Sequence, residues 1–464
     1  MGLFWLAPIL VSLFFLTGMA MSWAQEKIPE LNTLEILKLI EANGDYAFAV
    51  AGADIFIARA RLDEAKSALY PSLTLNTTGQ VYQSTQRNSD NAEIFGALEV
   101  VNPIYDFGKR SSEIDAAGYD VEAAQQALIS TKNMVLLEGL ALFYNLHASE
   151  LQLRAYNEIH ASAYVRWDRA KEQLGLARTS PIDVSKALML VEKTRLDYYR
   201  ERSRNNTYRM RLEELTNQSL PEELISPPLP PEKPPHETDM EEFSKIVIQR
   251  NPEMVALTKQ AKAKGLRRSA ITSLPSVEAF GNVGHSSRDM RGRNEYSLGA
   301  RMSWQVFDGG LKGAQRNRLA AEESRINAHM EAKRRQLRRK AHVALMNRAD
   351  VFQRVISAKA ELDYAQKNML RHQQLYSLER ATDLGRAMVE NSQAEAALIR
   401  ATGAYKLELA GIALLLGDHP SKGLEDGYLV SIMGSKNAPT EGYVPKSGSG
   451  FGQDDQNKVN RNTE

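Results

Sequence analysis

The stretch AQRNRLAAEESRINAHMEAKRRQLRRKAHVALMNRADVFQRVISAKAELDYAQKNMLRHQQLYSLERATDL, Ala314 to Leu384, runs 71 residues without a glycine or a proline. Rich in Ala, Leu, Glu, Gln, Lys and Arg, it predicts one very long helix. At about 1.5 Å per residue that helix would span roughly 105 Å, far more than the diameter of a globular domain. Two hundred residues earlier, Ile104 to Ser180 is likewise free of proline and reads the same way. Helices of this length need a structural reason.

The chain is written twice. SALYPSLTL (67–75) is answered by SAITSLPSVEAF (269–280), and NPIYDFGKR (102–110) by WQVFDGGLK (304–312). DVSKA (183–187) returns as DLGRA (383–387), and LTN (215–217) as LLG (415–417). The offsets stay near 200 residues and the order is kept, which implies an internal duplication. Each half reads as a helix (33–69, then 239–273 broken at Pro252), two strands, the long helix, a turn, and a second helix (183–216, then 386–416). The two shorter helices together match the long one, so each half predicts a two-stranded rod. A turn closes one end of that rod and the strand pair closes the other.

The predicted organisation is a signal peptide at 1–24 and a first repeat at 25–218 with strands at 72–84 and 93–105. A Pro-rich linker at 219–238 leads to a second repeat at 239–433, with strands at 276–286 and 295–307, and then a disordered tail at 434–464. Seven prolines between Pro221 and Pro235 make the linker a semi-rigid extended connector. The tail is Gly/Ser/Asn/Asp-rich and nearly free of apolar residues. At the N-terminus, Leu3 to Leu16 is apolar and Ser22-Trp23-Ala24 supplies the small residues of a cleavage site. No Lys or Arg precedes that run, so a membrane anchor is the other reading. The rest of the sequence is expected to hold no helix able to span a bilayer.

Composition narrows the function. With 58 basic against 57 acidic residues, no net field points to nucleic acid or to an anionic surface. The absence of cysteine excludes disulfides, thiolate metal sites, a cysteine nucleophile and a lipidated N-terminal cysteine. The eight histidines show no metal-type spacing, and no nucleophile–base arrangement rises above background. The expectation is no enzyme, no cofactor and no metal. KRRQLRRK (333–340) holds six basic residues in eight. Lying mid-helix in an exported chain, it reads as a solvated or lumen-facing stripe, not a nucleic-acid site.

The strands alternate. Tyr296, Leu298, Ala300, Met302, Trp304 and Val306 face one way, and Ser297, Gly299, Arg301, Ser303 and Gln305 the other. Ile94, Leu98, Val100 and Ile104 stand against Glu99 and Asn102, and Leu73, Leu75 and Val81 against Thr74, Asn76, Thr78 and Gln80. Each strand is close to the 9–11 residues that cross a bilayer as a tilted strand. The same alternation suits a half-buried sheet in a soluble domain. Four strands cannot close a barrel, and open edges are not tolerated in lipid, so a membrane role requires several chains to pool their strands.

The order of elements, the YPSL and SLPS prolines ahead of the strands, and the Asp-Phe-Gly and Asp-Gly-Gly turns opening the long helices resemble the TolC family of outer-membrane efflux proteins. The resemblance covers roughly 30 to 430. It implies a mainly α fold with a small β part. Long antiparallel helical hairpins would form an α-barrel, and four amphipathic strands per chain would join a trimeric twelve-stranded transmembrane β-barrel. It further implies a homotrimer set in outer-membrane lipid with its helices in the periplasm. A periplasmic membrane-fusion adaptor and an inner-membrane ABC or proton-driven pump would be its partners.

Three groups of residues are candidates for function. At the strand-to-helix turns, Asp106, Gly108, Asp308 and Gly309 could form a phosphate-binding loop, but aspartates capping the helices explain both copies. At the far turns the resemblance implies adaptor docking by Gly175, Leu176, Ala177, Ser377 and Leu378. It also implies a periplasmic gate of Arg178, Asp183, Lys186, Arg380, Asp383 and Arg386. Simple capping by Thr179 or Ser180, with Asp183 and Asp383 in first turns, accounts for part of this pattern. Some relatives carry an acidic ring about one turn beyond these aspartates, whereas this chain has Lys186 and Arg386. The function implied is an exit duct of a tripartite efflux or type I secretion system. The alternative is a soluble periplasmic coiled-coil scaffold.

Overall fold

The computed structural model describes residues 32–43, 46–84, 89–221, 229–230, 238–286, 293–378, 383–425 and 427–433. The signal segment, most of the linker, Arg380 and the tail from 434 lie outside the described residues. The element order repeats: α1 (Thr33–Asn43), α2 (Tyr46–Ser67), β1 (Ser72–Ser84), β2 (Ser89–Tyr105), α3 (Lys109–Gly175) and α4 (Pro181–Thr216), then α5 (Met240–Arg250), α6 (Pro252–Ala270), β3 (Ser276–Ser286), β4 (Arg293–Ser303), α7 (Leu311–Ser377) and α8 (Leu384–Leu415). Two short helices, α9 (Pro420–Gly423) and α10 (Tyr428–Met433), follow.

Both long helices, α3 and α7, have 67 residues, about 100 Å each. α7 ends at Ser377, seven residues before the glycine-free run does. The single helix expected over 33–69 is two, α1 ending at Asn43 and α2 beginning at Tyr46. The break expected at Pro252 is present: Asn251 caps α6 through its side chain, and Pro252 occupies the first helical position.

The four strands form one antiparallel sheet in the order β1-β2-β3-β4. β2 begins at Ser89, four residues before the expected 93, because it pairs with β1 up to Ser84↔Ser89. β4 ends at Ser303, not 307. Its only neighbour, β3, starts at Ser276 after Pro275, which has no N–H to give a ladder. Trp304 therefore leaves the sheet, and its Nε1 donates to the Ser273 carbonyl at 2.8 Å.

The helices stand in four columns. α3 packs against α2 and α4 on one side and against α6 and α8 on the other, and α7 packs against α6 and α8. The row is therefore α2 with α4, then α3, then α6 with α8, then α7, and each strand sits at the end of one column. Among the described residues three cores hold the wall, the third formed by Phe352, Val355 and Ala358 of α7 with Leu398 and Tyr405 of α8. In the first, Ile36, Leu37 and Ile40 of α1 pack on Leu136, Leu140 and Phe143 of α3 and on Leu212 and Leu215 of α4. In the second, Phe243 and Val247 of α5 pack on Leu337, Ala341 and Leu345 of α7 and on Ile412 and Leu415 of α8. One sequence expectation is corrected here: by length and composition α3 is apolar enough to cross a membrane. Its apolar stretch, from Val135 to Leu146, instead belongs to the first core.

Candidate functional site

Register puts every strand position on one of two faces. Leu73, Val100, Gly281 and Leu298 are mutual partners across the four strands, as are Leu75, Leu98, Val283 and Tyr296. These rows, with Val277 and Met302, make one face apolar. No described residue covers it: Leu298 is 90% exposed, Val81 80% and Tyr296 73%. The opposite face carries Thr74, Glu99, Asn282 and Ser297 in one row and Ser72, Val101, Phe280 and Gly299 in the next. A soluble sheet hides its apolar face and wets its polar one. Here the apolar face is bare. At the helix end of the sheet, Tyr70, Tyr105, Phe107, Trp304 and Phe307 are all exposed, a band of aromatics of the kind that lines membrane interfaces.

The two strand-to-helix turns share one geometry. Phe107 and Gly108 have φ of +57° and +82°, and Gly309 and Gly310 have +67° and +88°. Asp106 accepts from the Arg110 amide at 3.0 Å and from its Nε at 2.7 Å. Burial raises the Asp106 carboxyl, but the hydrogen bonds from Arg110 outweigh it and hold the group below the usual carboxylate range. Asp308 accepts from the Gly310 and Lys312 amides at 2.9 Å each, the Lys312 amide first holding its carboxyl low. In both copies the aspartate already takes amides of the helix start that a phosphate would need. The site is therefore a turn lock.

At the opposite end, Gly175 closes α3, and Leu176 and Ala177 form the turn, with Ala177 at φ +54°. The Arg178 amide donates to the Gln173 carbonyl at 2.8 Å. Ser180 and Asp183 make a reciprocal capping box, the Asp183 amide donating to Ser180 Oγ at 3.2 Å and the Ser180 amide to Asp183 Oδ2 at 3.3 Å, with Ser180 Oγ donating to the same oxygen at 2.7 Å. Those Ser180 bonds hold the Asp183 carboxyl below its ordinary range. In the second turn the Ser377 hydroxyl donates to the Gln374 carbonyl at 2.8 Å, and Leu378 is exposed. Asp383 caps α8 by accepting from the Arg386 amide at 3.1 Å, and Arg386 Nε reaches Glu390 at 2.9 Å. One contact was not foreseen: Arg166 on α3 bridges to Asp383 Oδ2 at 3.3 Å, tying the two hairpins together at the tip. Asp183 and Lys186 stay on their own hairpin. No sequence signal marks Arg166, because its partner lies 217 residues away.

In the basic run, Lys333 pairs with Glu253 and Arg334 with Glu331. Leu337 is core, while Arg335, Arg338, Arg339 and Lys340 are exposed. No group of three or more metal-ligating side chains occurs among the described residues.

Residues 42–218, from the end of α1 to just past α4, match a family model described as outer membrane efflux protein. No curated protein matches the sequence. Among solved structures, the chain is similar to the Campylobacter jejuni CmeC outer membrane channel at 15% identity and a TM-score of 0.68, covering 88% of this chain and 94% of that one. It is similar to the Neisseria gonorrhoeae MtrE outer membrane channel at 17% identity and 0.61, covering 83% and 89%. The Vibrio cholerae outer membrane protein VceC gives 15% and 0.61, covering 83% and 96%.

Proposed function

We propose that the chain is a trimeric exit duct, a reading supported by the match of residues 42–218 to the outer membrane efflux protein model and by a fold similar to outer-membrane channels over most of the chain. The duct conducts substrate from an inner-membrane pump across the periplasm and the outer membrane. The observation that carries this reading is the bare apolar sheet face set back to back with a polar one. Such a sheet is stable in lipid only when its edges are closed. β1 and β4 are the two edges, and α2 with α4 and α7 are the matching edges of the helical wall. Three copies joined edge to edge close both layers at once, giving twelve strands above twelve helical columns.

Several finer assignments follow from this reading. The first repeat is 25–218 and the second 239–433, joined by the 219–238 linker. The tip is the gate, with Asp383 as its inter-hairpin anchor alongside Arg178, Asp183, Lys186 and Arg386. The turns at Gly175–Ala177 and Ser377–Leu378 present exposed apolar side chains at the extreme end of each hairpin, which suits docking of a membrane-fusion adaptor. Conduction is passive and requires no catalytic residue. Energy comes from an ABC or proton-driven pump.

The experiment is to purify the mature chain with and without detergent. The expected result is a detergent-dependent particle of three chains that conducts in a planar bilayer. A soluble, detergent-independent monomer would sink the duct and favour the coiled-coil scaffold instead.

A further inference from the structure

The polar face of the sheet carries an ionic cluster that no sequence motif announced. Arg301 on β4 is the cross-strand partner of Glu278 on β3, its Nη2 3.8 Å from Glu278 Oε2. The same nitrogen lies 3.9 Å from Glu99 Oε1 on β2. The guanidinium carbon also sits 5.3 Å from the centre of the Phe280 ring, within cation–π range. That ring in turn covers Gly299, where a Cβ would come within 3.1 Å of it. Glycine on β4 thus seats the ring, and the ring and two carboxylates hold the arginine. In the four rows of this face nearest the helices, from Ser276 and Ser303 up to Thr74 and Ser297, no other side chain is ionisable.

We infer that Glu99, Glu278 and Arg301 set the ion preference of the pore at the helix end of the barrel. This rests on the trimeric duct proposed above. Two carboxylates against one guanidinium leave one negative charge per chain and a ring of three in the trimer. Twelve strands about 4.8 Å apart and tilted about 40° give a backbone radius of about 12 Å, and side chains narrow it further. At 0.1 M salt the screening length is about 10 Å, so the ring's field reaches the axis. Cationic solutes are favoured there over anionic ones. Arg301 is the selectivity-determining residue, since it cancels half of the carboxylate charge. The cluster, not the tip with its Lys186 and Arg386, supplies the negative field.

The chain has no cysteine, so a single Ser297→Cys places a reporter in the same polar row as Glu99, with only Asn282 between them. In the bilayer-reconstituted trimer, the ratio of its reaction rates with a cationic and an anionic methanethiosulfonate reads the local potential, whatever the state of the tip. Arg301→Gln should raise that ratio roughly threefold or more at 0.1 M salt, and Glu99→Gln with Glu278→Gln should lower it below the parent value. Both effects should fade near 1 M, where screening shortens to about 3 Å. Arg301→Lys should keep the parent ratio. A ratio unmoved by either neutralisation, or moved as much by Arg301→Lys as by Arg301→Gln, overturns the inference. Leu298→Cys separates this from failure of the duct itself. On the apolar face it should be shielded by lipid, and equal reactivity of Leu298→Cys and Ser297→Cys would overturn both.

Discussion

Phe107 holds φ at +57° where its counterpart in the second half, Gly309, holds +67°. A non-glycine residue in this region costs roughly 1–2 kcal/mol, and the turn keeps it because Asp106 and Arg110 lock the geometry from both sides. A side chain here obeys the shape of the turn, not its own preference. The tip shows the converse. The Arg166–Asp383 pair is more than half exposed at both ends, so it adds at most about 1 kcal/mol to stability. A link that weak suits the gate proposed at the tip, which must open. Arg166→Ala should leave the melting temperature almost unchanged while raising the conductance of the resting channel severalfold. If conductance stays at the resting value while Asp383→Ala raises it, Arg166 is not part of the latch. Capping aspartates were legible in the sequence because their partners lie within four residues. Arg166 was not, because only the stacking of α3 on α8 brings it to Asp383.

At the scale of elements, the long helices were readable from composition: good helix formers, no proline, and a turn at each end. The wall they build depends on small residues as well. Gly403 on α8 lies so close to Tyr144 on α3 that a Cβ there would stand 2.8 Å from the tyrosine Cβ. Strand ends were less legible. Alternation continues past Ser303 to Val306 in the sequence, but a strand stops where its neighbour stops, and β3 begins only at Ser276. The two faces of β4 yield a direct test. Leu298→Arg, on the bare apolar face, should cost about 2–4 kcal/mol at mid-bilayer depth and abolish assembly of membrane-inserted protein. Ser297→Arg, one residue away on the polar face, should insert normally. Equal insertion of the two variants, measured by membrane fractionation, would show that neither face meets lipid.

At the scale of the molecule, a single chain is an open, four-column wall whose two vertical edges are unpaired. α4 presents Ile182, Met189, Leu196 and Met210 on its exposed side, spaced by sevens or multiples of seven, and Leu370 is exposed on α7. Stripes at heptad spacing are seams awaiting a partner helix. Met189 and Leu370 lie eight and seven residues from their helix ends at the tip, hence at one height. They are 62% and 54% exposed, and α4 and α7 sit at opposite edges of the row. Met189→Cys with Leu370→Cys should therefore form disulfides between chains, seen as a ladder ending at three on a non-reducing gel. A product that stays monomeric would rule out this seam.

The sequence by itself determined the long helices, the repeat of elements, the amphipathic strands and the caps. Each depends on residues near one another in the chain, so periodicity and turn chemistry suffice to read it. Tertiary structure alone decided which helices stand side by side, where each strand ends, and that Arg166 meets Asp383 and Arg301 meets Glu99. These contacts join residues tens to hundreds of positions apart. They arise from burial and register summed over whole elements, a sum that no local stretch contains.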